Sequence, residues 1–123
     1  MIHLDTNFFI DSLVAGSPQE AKLVGLLASG ETVEINSVAW GEFFWGPLSA
    51  SADAAARLML PNAESFGRAD AEQAARLFNL TGRRSKSYAD CRIAAVALRV
   101  GASLATSNRA DFTPMAPHGL RLV

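Results

Sequence analysis

Short apolar runs alternate with amphipathic stretches along the chain. Ile2-His3-Leu4 predicts a short strand, and Asp5-Thr6-Asn7 leads into Phe8-Phe9-Ile10 as the first turn of a helix. Ser17-Pro18-Gln19-Glu20 has the grammar of a helix start: the serine can cap, proline suits the first helical position, and the glutamate can complete a capping box. Leu23, Leu26 and Leu27 form its apolar stripe, and Gly30 its stop. Thr32 to Ile35 alternates with β-branched residues, as a strand does. Val38 to Trp45 reads as an aromatic-rich helix ended by Gly46-Pro47, and Ala52 to Leu60 as a helix that stops before Pro61. Ala63 to Phe66 predicts a short strand, and Ala69 to Leu80 a helix broken at Gly82. The clearest helix is Ser87 to Val100: Ser87 at the cap, Ile93, Val96, Ala97 and Val100 at helical spacing, and Gly101 as the stop. Ser103 to Thr106 and Leu120 to Val123 read as strands.

Strands separated by helices imply parallel β-α-β units, hence an α/β fold: a three-layer α/β/α sandwich around a small, mainly parallel sheet. No repeat and no linker interrupts the pattern, and 123 residues suit one domain spanning 1–123. Sites in such sheets form outside the carboxyl ends of the strands. A site residue should therefore follow a strand or begin a helix.

Composition narrows the chemistry. With 50% hydrophobic and 19% charged residues the chain is not a disordered one. Its single cysteine, Cys91, excludes an internal disulfide framework and a cysteine-based zinc site, and its place inside a helix favours packing over nucleophilic work. No apolar run approaches the ~18 residues of a membrane span, and Met1 to Asp5 does not open a signal peptide, so a cytoplasmic domain without membrane contact is expected. The net charge of −1 hides an asymmetry: three basic residues stand against ten acids in residues 1–75, and eight against two in residues 76–123. Arg83, Arg84, Lys86, Arg92, Arg99 and Arg109 could form a basic rim suited to a phosphate polymer, or simply a solvated face.

Asp5, Asp90 and Asp111 meet the positional test or come close to it, and Glu42, on the helix after the second strand, is a fourth candidate. Asp90 shares a helix face with Ile93, Ala94 and Ala97, which puts a carboxylate at the head of an apolar stripe, yet Ser87-Tyr88-Ala89-Asp90 also fits a capping box. Asp5 reads equally as a cap for the helix that follows it, and Glu42 as an exposed side chain on the aromatic helix. Taken together, three or four carboxylates at one strand-end crevice would repel one another unless a divalent cation joined them, and all-oxygen ligands select Mg²⁺ or Mn²⁺ over zinc. Other chemistries are poorly supplied. His3 and His118 are too isolated for a histidine triad or an HExxH site, and no glycine-rich phosphate loop occurs. An aspartyl-phosphate phosphatase would want a second aspartate where Asn7 stands. Trp40, Phe43, Phe44 and Trp45 cannot all face one core, so either they cover a sheet edge or part of this helix meets a partner.

The opening Ile2-His3-Leu4-Asp5-Thr6-Asn7, Glu42 after the second strand, the run Asp90 to Ala97, and Leu104-Ala105-Thr106-Ser107-Asn108-Arg109-Ala110-Asp111-Phe112 together resemble a PIN domain, and the size resembles the VapC-type toxins of toxin–antitoxin pairs. The resemblance implies a Mg²⁺-dependent endoribonuclease with Asp5, Glu42 and Asp90 in its site, Asp5 and Asp90 holding the metal, and Thr6 and Asn7 orienting Asp5. It implies products with a 5′-phosphate and a 3′-hydroxyl, a cognate antitoxin covering the groove beside the aromatic helix, and a homodimer. Asn108 departs from the fully acidic pattern at the fourth position, where Asp111 is the nearest carboxylate. Arg84, Lys86, Arg92 and Arg109 are the candidates for RNA backbone contacts. The alternative is a PIN-like module that binds RNA or protein without turnover, a reading that Asn108 encourages.

Overall fold

A computed structural model describes residues 1–123. Strands β1 (Ile2–Leu4), β2 (Val33–Asn36), β3 (Ala63–Glu64) and β4 (Ser103–Ala105) form one sheet in the order β3-β2-β1-β4, with every pairing parallel. Helices α1 (Thr6–Ser12) and α2 (Pro18–Ala28) join β1 to β2, α3 (Ser37–Phe44) and α4 (Ala50–Met59) join β2 to β3, and α5 (Arg68–Leu80) and α6 (Tyr88–Val100) carry the chain back across the sheet to β4. The short α7 (Arg109–Phe112) follows β4. Crossovers between parallel strands are right-handed. This strand order therefore sends the first two connections to one face and the third to the other, and the packing of α1 on α2 and α3, and of α5 on α6, accords with that division. The direction of travel reverses between β1 and β4, which opens a crevice at their carboxyl ends.

Local chemistry explains most of the boundaries. Ser17 Oγ accepts the Glu20 N–H at 3.0 Å and Ser49 Oγ accepts the Ala52 N–H at 3.1 Å. That serine starts α4 at Ala50, earlier than the alanine run suggests. Asn36 closes β2 and opens α3: its Oδ1 takes the Ala39 N–H and its Nδ2 donates to Ile93 O on α6. Glu20 completes its cap one residue early, accepting the Gly16 N–H instead of that of Ser17. Gly101 ends α6 in the left-handed region at φ 70°, which spares the turn a Cβ clash.

Three expectations from the pattern need correction. Ser87 does not cap α6. It ends a 3₁₀ turn over Ser85–Ser87, and its hydroxyl donates to Arg84 O at 2.7 Å. The capping reading of Asp90 fails with it. Leu120 to Val123 is not a full strand. Only Leu122 bridges to Leu104, because a 3₁₀ segment (Thr113–His118) with two prolines and then Gly119 occupies the approach. Arg99 is not part of a basic rim. It lies at the far end of α6 from Asp90 and pairs with Asp70 at 2.8 Å and Glu64 at 3.1 Å.

The core gathers Leu4, Phe8, Phe9, Ile35, Ile93 and Leu104 around the central strand. Each such side chain contributes about 1.5–3 kcal/mol on leaving water. Because β1 is covered on both faces, His3 is fully buried, and neither ring nitrogen has a partner. Burial pulls its pKa below the usual histidine range, so it sits in the core as a neutral ring. Cys91 is buried as a small packing residue, and His118 is exposed. No helix is long and apolar enough to cross a membrane.

Candidate active site

The crevice between β1 and β4 is lined with acids. Asp5 is the residue after β1, and its backbone N–H donates to Ala105 O of β4 at 2.9 Å. That bond fixes the Asp5 backbone at the strand ends. Its side chain is only 5% exposed and both oxygens are engaged: Oδ1 accepts the Thr6 N–H and Oδ2 accepts the Thr106 hydroxyl, each at 2.9 Å. Asp5 thus caps the start of α1 and at the same time lines a cleft at the strand ends. Thr6 Oγ1 donates to Glu42 Oε1 at 2.9 Å and so ties α3 to the start of α1. Thr106 Oγ1 in turn accepts the Asn108 N–H at 3.0 Å, which shapes the turn from β4 toward α7.

A cleft of about 220 Å³ receives Asp5, Glu42, Asp90 and Asp111 together, with Thr6, Asn7 and Asn108 in its walls and Ile10 and Trp45 at its apolar side. No lysine, arginine or histidine lines it. The electrostatics follow. Burial pushes the Asp5 carboxyl up, opposed by its bonds from Thr106 and Thr6 and reinforced by Glu42 and Asp111. Burial and the neighbouring Asp5, Asp111 and Glu42 raise Asp90 to about 7. Four acids from four parts of the chain thus act on one another through space, a condition that favours either a proton or a cation in their midst.

All the donors here are oxygens, which suits a hard dication. No three of the acidic side chains are drawn into a cage that could hold a metal ion unaided. The arrangement fits a cation held by one or two carboxylates that keeps much of its water, which is the habit of Mg²⁺.

Asp90 and Asp111 also border a larger hollow of about 500 Å³ with Arg84, Ser85, Lys86 and Ser87. Arg84 and Lys86 therefore stand next to the acids. Arg92 and Arg109 line neither hollow. The Arg92 guanidinium lies 5.4 Å from the centre of the Tyr88 ring, and Arg109 donates to Val123 O at 3.2 Å. The sequence reading missed Thr106, whose only signal was a hydroxyl at the end of a strand.

The family profile of the PIN domain matches residues 2–115. The chain belongs to the PIN domain family. Solved structures with the same fold include FitAcB from Neisseria gonorrhoeae (TM-score 0.76, 22% identity, covering 99% of this chain and 96% of that one). A toxin–antitoxin complex from Klebsiella pneumoniae aligns at TM-score 0.72 with 25% identity, covering 92% and 91% of the two chains. VapC20 from Mycobacterium tuberculosis, a sarcin–ricin loop cleaving toxin, aligns at TM-score 0.70 with 21% identity, covering 100% and 98%. No curated protein matches the chain in sequence. This PIN domain keeps the α/β architecture that its alternating strands and helices predict.

Proposed function

We propose that this PIN domain is a Mg²⁺-dependent endoribonuclease, with Mn²⁺ as an alternative ion, acting as the toxin of a toxin–antitoxin pair. The observation that carries the reading is the cleft itself: Asp5, Glu42, Asp90 and Asp111 converge in it without one cationic side chain. Asp5 and Asp90 are assigned to the metal, as the PIN resemblance implies, and both line the cleft, one from the end of β1 and the other from the first turn of α6. When bound, the ion supplies a hydroxide-like nucleophile at neutral pH and neutralises charge on the phosphodiester. Thr6 and Thr106 hold the orientation of Asp5, and Thr6 also fixes Glu42. Asn7 and Asn108 line the same walls and offer amide groups to water or substrate. Asp111 supplies the fourth charge that Asn108 lacks. Arg84 and Lys86 approach the RNA backbone from the adjoining hollow. Arg92 and Arg109 keep at most an outlying role, since neither borders the cleft.

An RNA substrate accords with the sarcin–ricin loop cleaved by VapC20. An antitoxin partner accords with the toxin–antitoxin complexes among the structural neighbours, such as VapBC2 from Rickettsia felis, which is bound to a DNA fragment from its promoter. An apolar groove of about 490 Å³ beside α3, with Leu13, Phe43 and Leu48 among its walls, is the surface we assign to that partner. A homodimer of the chain completes the proposed assembly.

Cleavage of structured and single-stranded RNA, with Mg²⁺ and with EDTA, tests the reading in the wild type, Asp5→Ala and Asp90→Asn. Activity confined to the wild type with Mg²⁺ supports it, and equal activity in every sample defeats it. Calorimetric Mg²⁺ binding without cleavage of any RNA would favour the non-catalytic module that Asn108 suggests.

A further inference from the structure

Two tryptophans, one on α3 and one at its C-cap, have opposite fates. Trp40 is half-buried and sets its ring 4.7 Å from Phe44. Trp45 is 81% exposed, so its indole gains little from the folding of this chain. Yet its backbone is fixed, because it closes α3 with its N–H bonded to Gly41 O at 3.1 Å. Trp45 also walls the acidic cleft, three residues on from Glu42.

We propose that Trp45 is a stacking platform for a nucleobase of single-stranded RNA next to the scissile phosphate, an inference that rests on the ribonuclease reading. Four carboxylates line the cleft, which suits it to a hydrated ion and a phosphate rather than to the face of a base, so the flanking bases lie on its rim. The two sides of that rim differ. Beyond Asp90 and Asp111 lie Arg84 and Lys86, which suit phosphates. On the other side stand Ile10 and Trp45, with no cation to meet the backbone. A strand crossing the acids is held there by the face of a base, and a free indole on a fixed backbone accepts any base without reading its identity. The other apolar walls of the groove beside α3, such as Phe43, Leu13 and Leu48, are buried or half-buried and offer no comparable free ring.

Fluorescence anisotropy of a labelled oligo(rA) twelve-mer, with Ca²⁺ in place of Mg²⁺ to prevent turnover, tests this on the full chain. Trp45→Ala is expected to weaken binding by about 5- to 100-fold, and Trp45→Phe by less than about 3-fold. A ribose-phosphate chain of the same length without bases should bind the wild type and Trp45→Ala alike. Equal affinity of wild type and Trp45→Ala for oligo(rA) overturns the proposal. So does an equal loss on the baseless chain. Unchanged RNA binding with an altered sedimentation coefficient would assign the ring to a protein contact and overturn it too. In each of these cases EDTA-sensitive cleavage by the wild type leaves the ribonuclease reading standing, whereas a wild type that neither binds nor cleaves RNA removes both.

Discussion

Thr106 donates its hydroxyl to Asp5 Oδ2 at 2.9 Å across 101 residues of sequence, and Thr106 Oγ1 itself accepts the Asn108 N–H. One hydroxyl thereby sets both the direction of a carboxylate and the course of the turn after β4. Its removal by Thr106→Val should lower Mg²⁺-dependent RNA cleavage by about 10- to 100-fold, the usual effect of losing a side chain that orients a ligand. Thr106→Ser should retain most of the activity. Parallel Mg²⁺ titrations of the two variants check the cause, since a misdirected Asp5 raises the concentration needed for half-maximal rate.

Asp90 makes stability depend on pH in an unusual direction. Its pKa is about 7 in the folded chain, against an ordinary 3.8. Between those values the folded state holds a proton that the unfolded state has released, so metal-free stability is greatest below pH 4 as far as this group is concerned and declines as pH rises toward 7. Asp90→Asn should raise Tm at pH 8 without metal by roughly 3–8 °C, or about 1–2 kcal/mol once solvent screening is allowed for. Added Mg²⁺ should raise the wild-type Tm and leave that of the variant nearly unchanged, as scanning calorimetry would show.

His3 works in the opposite sense. Its folded pKa lies below the unfolded value because burial disfavours the imidazolium, with Arg99 and the amino terminus adding to the effect and Glu64 opposing it. The unfolded chain takes up a proton first, so stability falls as pH drops below about 6.5, by at most about 1.4 kcal/mol per pH unit. His3→Leu should abolish that slope and stay within about 1 kcal/mol of wild type at pH 7, since it also removes two unpartnered nitrogens. Urea midpoints at pH 7 and pH 5 for His3→Leu and Asp90→Asn would separate the two opposing trends.

Arg99 is the only cation paired with the buried Asp70. Arg99→Met leaves that carboxylate in the core with just the Gly67 N–H for company, and should cost about 2–3 kcal/mol in a denaturant titration. Glu64→Gln, which touches the exposed half of the network, should cost less than about 1 kcal/mol. Neither change should alter RNA cleavage well below the melting temperature, because both lie at the end of α6 remote from Asp90. A large loss of cleavage in Arg99→Met would return Arg99 to the substrate surface.

The sequence by itself determined the elements and the list of acids. Period-2 and period-3.6 patterns, a proline at a helix start and glycines at helix stops are local signals, so β1, β2, α2, α5 and α6 were legible within a few residues. The placement of Asp5 after a strand and of Asp90 at a helix start was legible for the same reason, as was the PIN resemblance. What only the tertiary structure decided was which polar groups meet. Ser87 forms a cap or a 3₁₀ turn according to the loop before it, and the outcome frees Asp90 for the cleft. Arg99 and Arg84 look alike in sequence, yet one pairs with Asp70 and the other stands beside the acids, because Arg99 lies in the last turn of the 13-residue α6 and Arg84 before its first. Thr106 gains its role from β4 lying next to β1, a pairing set by a crossover that spans most of the chain. Local periodicity records what each segment buries; long-range pairing decides which charges and hydroxyls share a cavity.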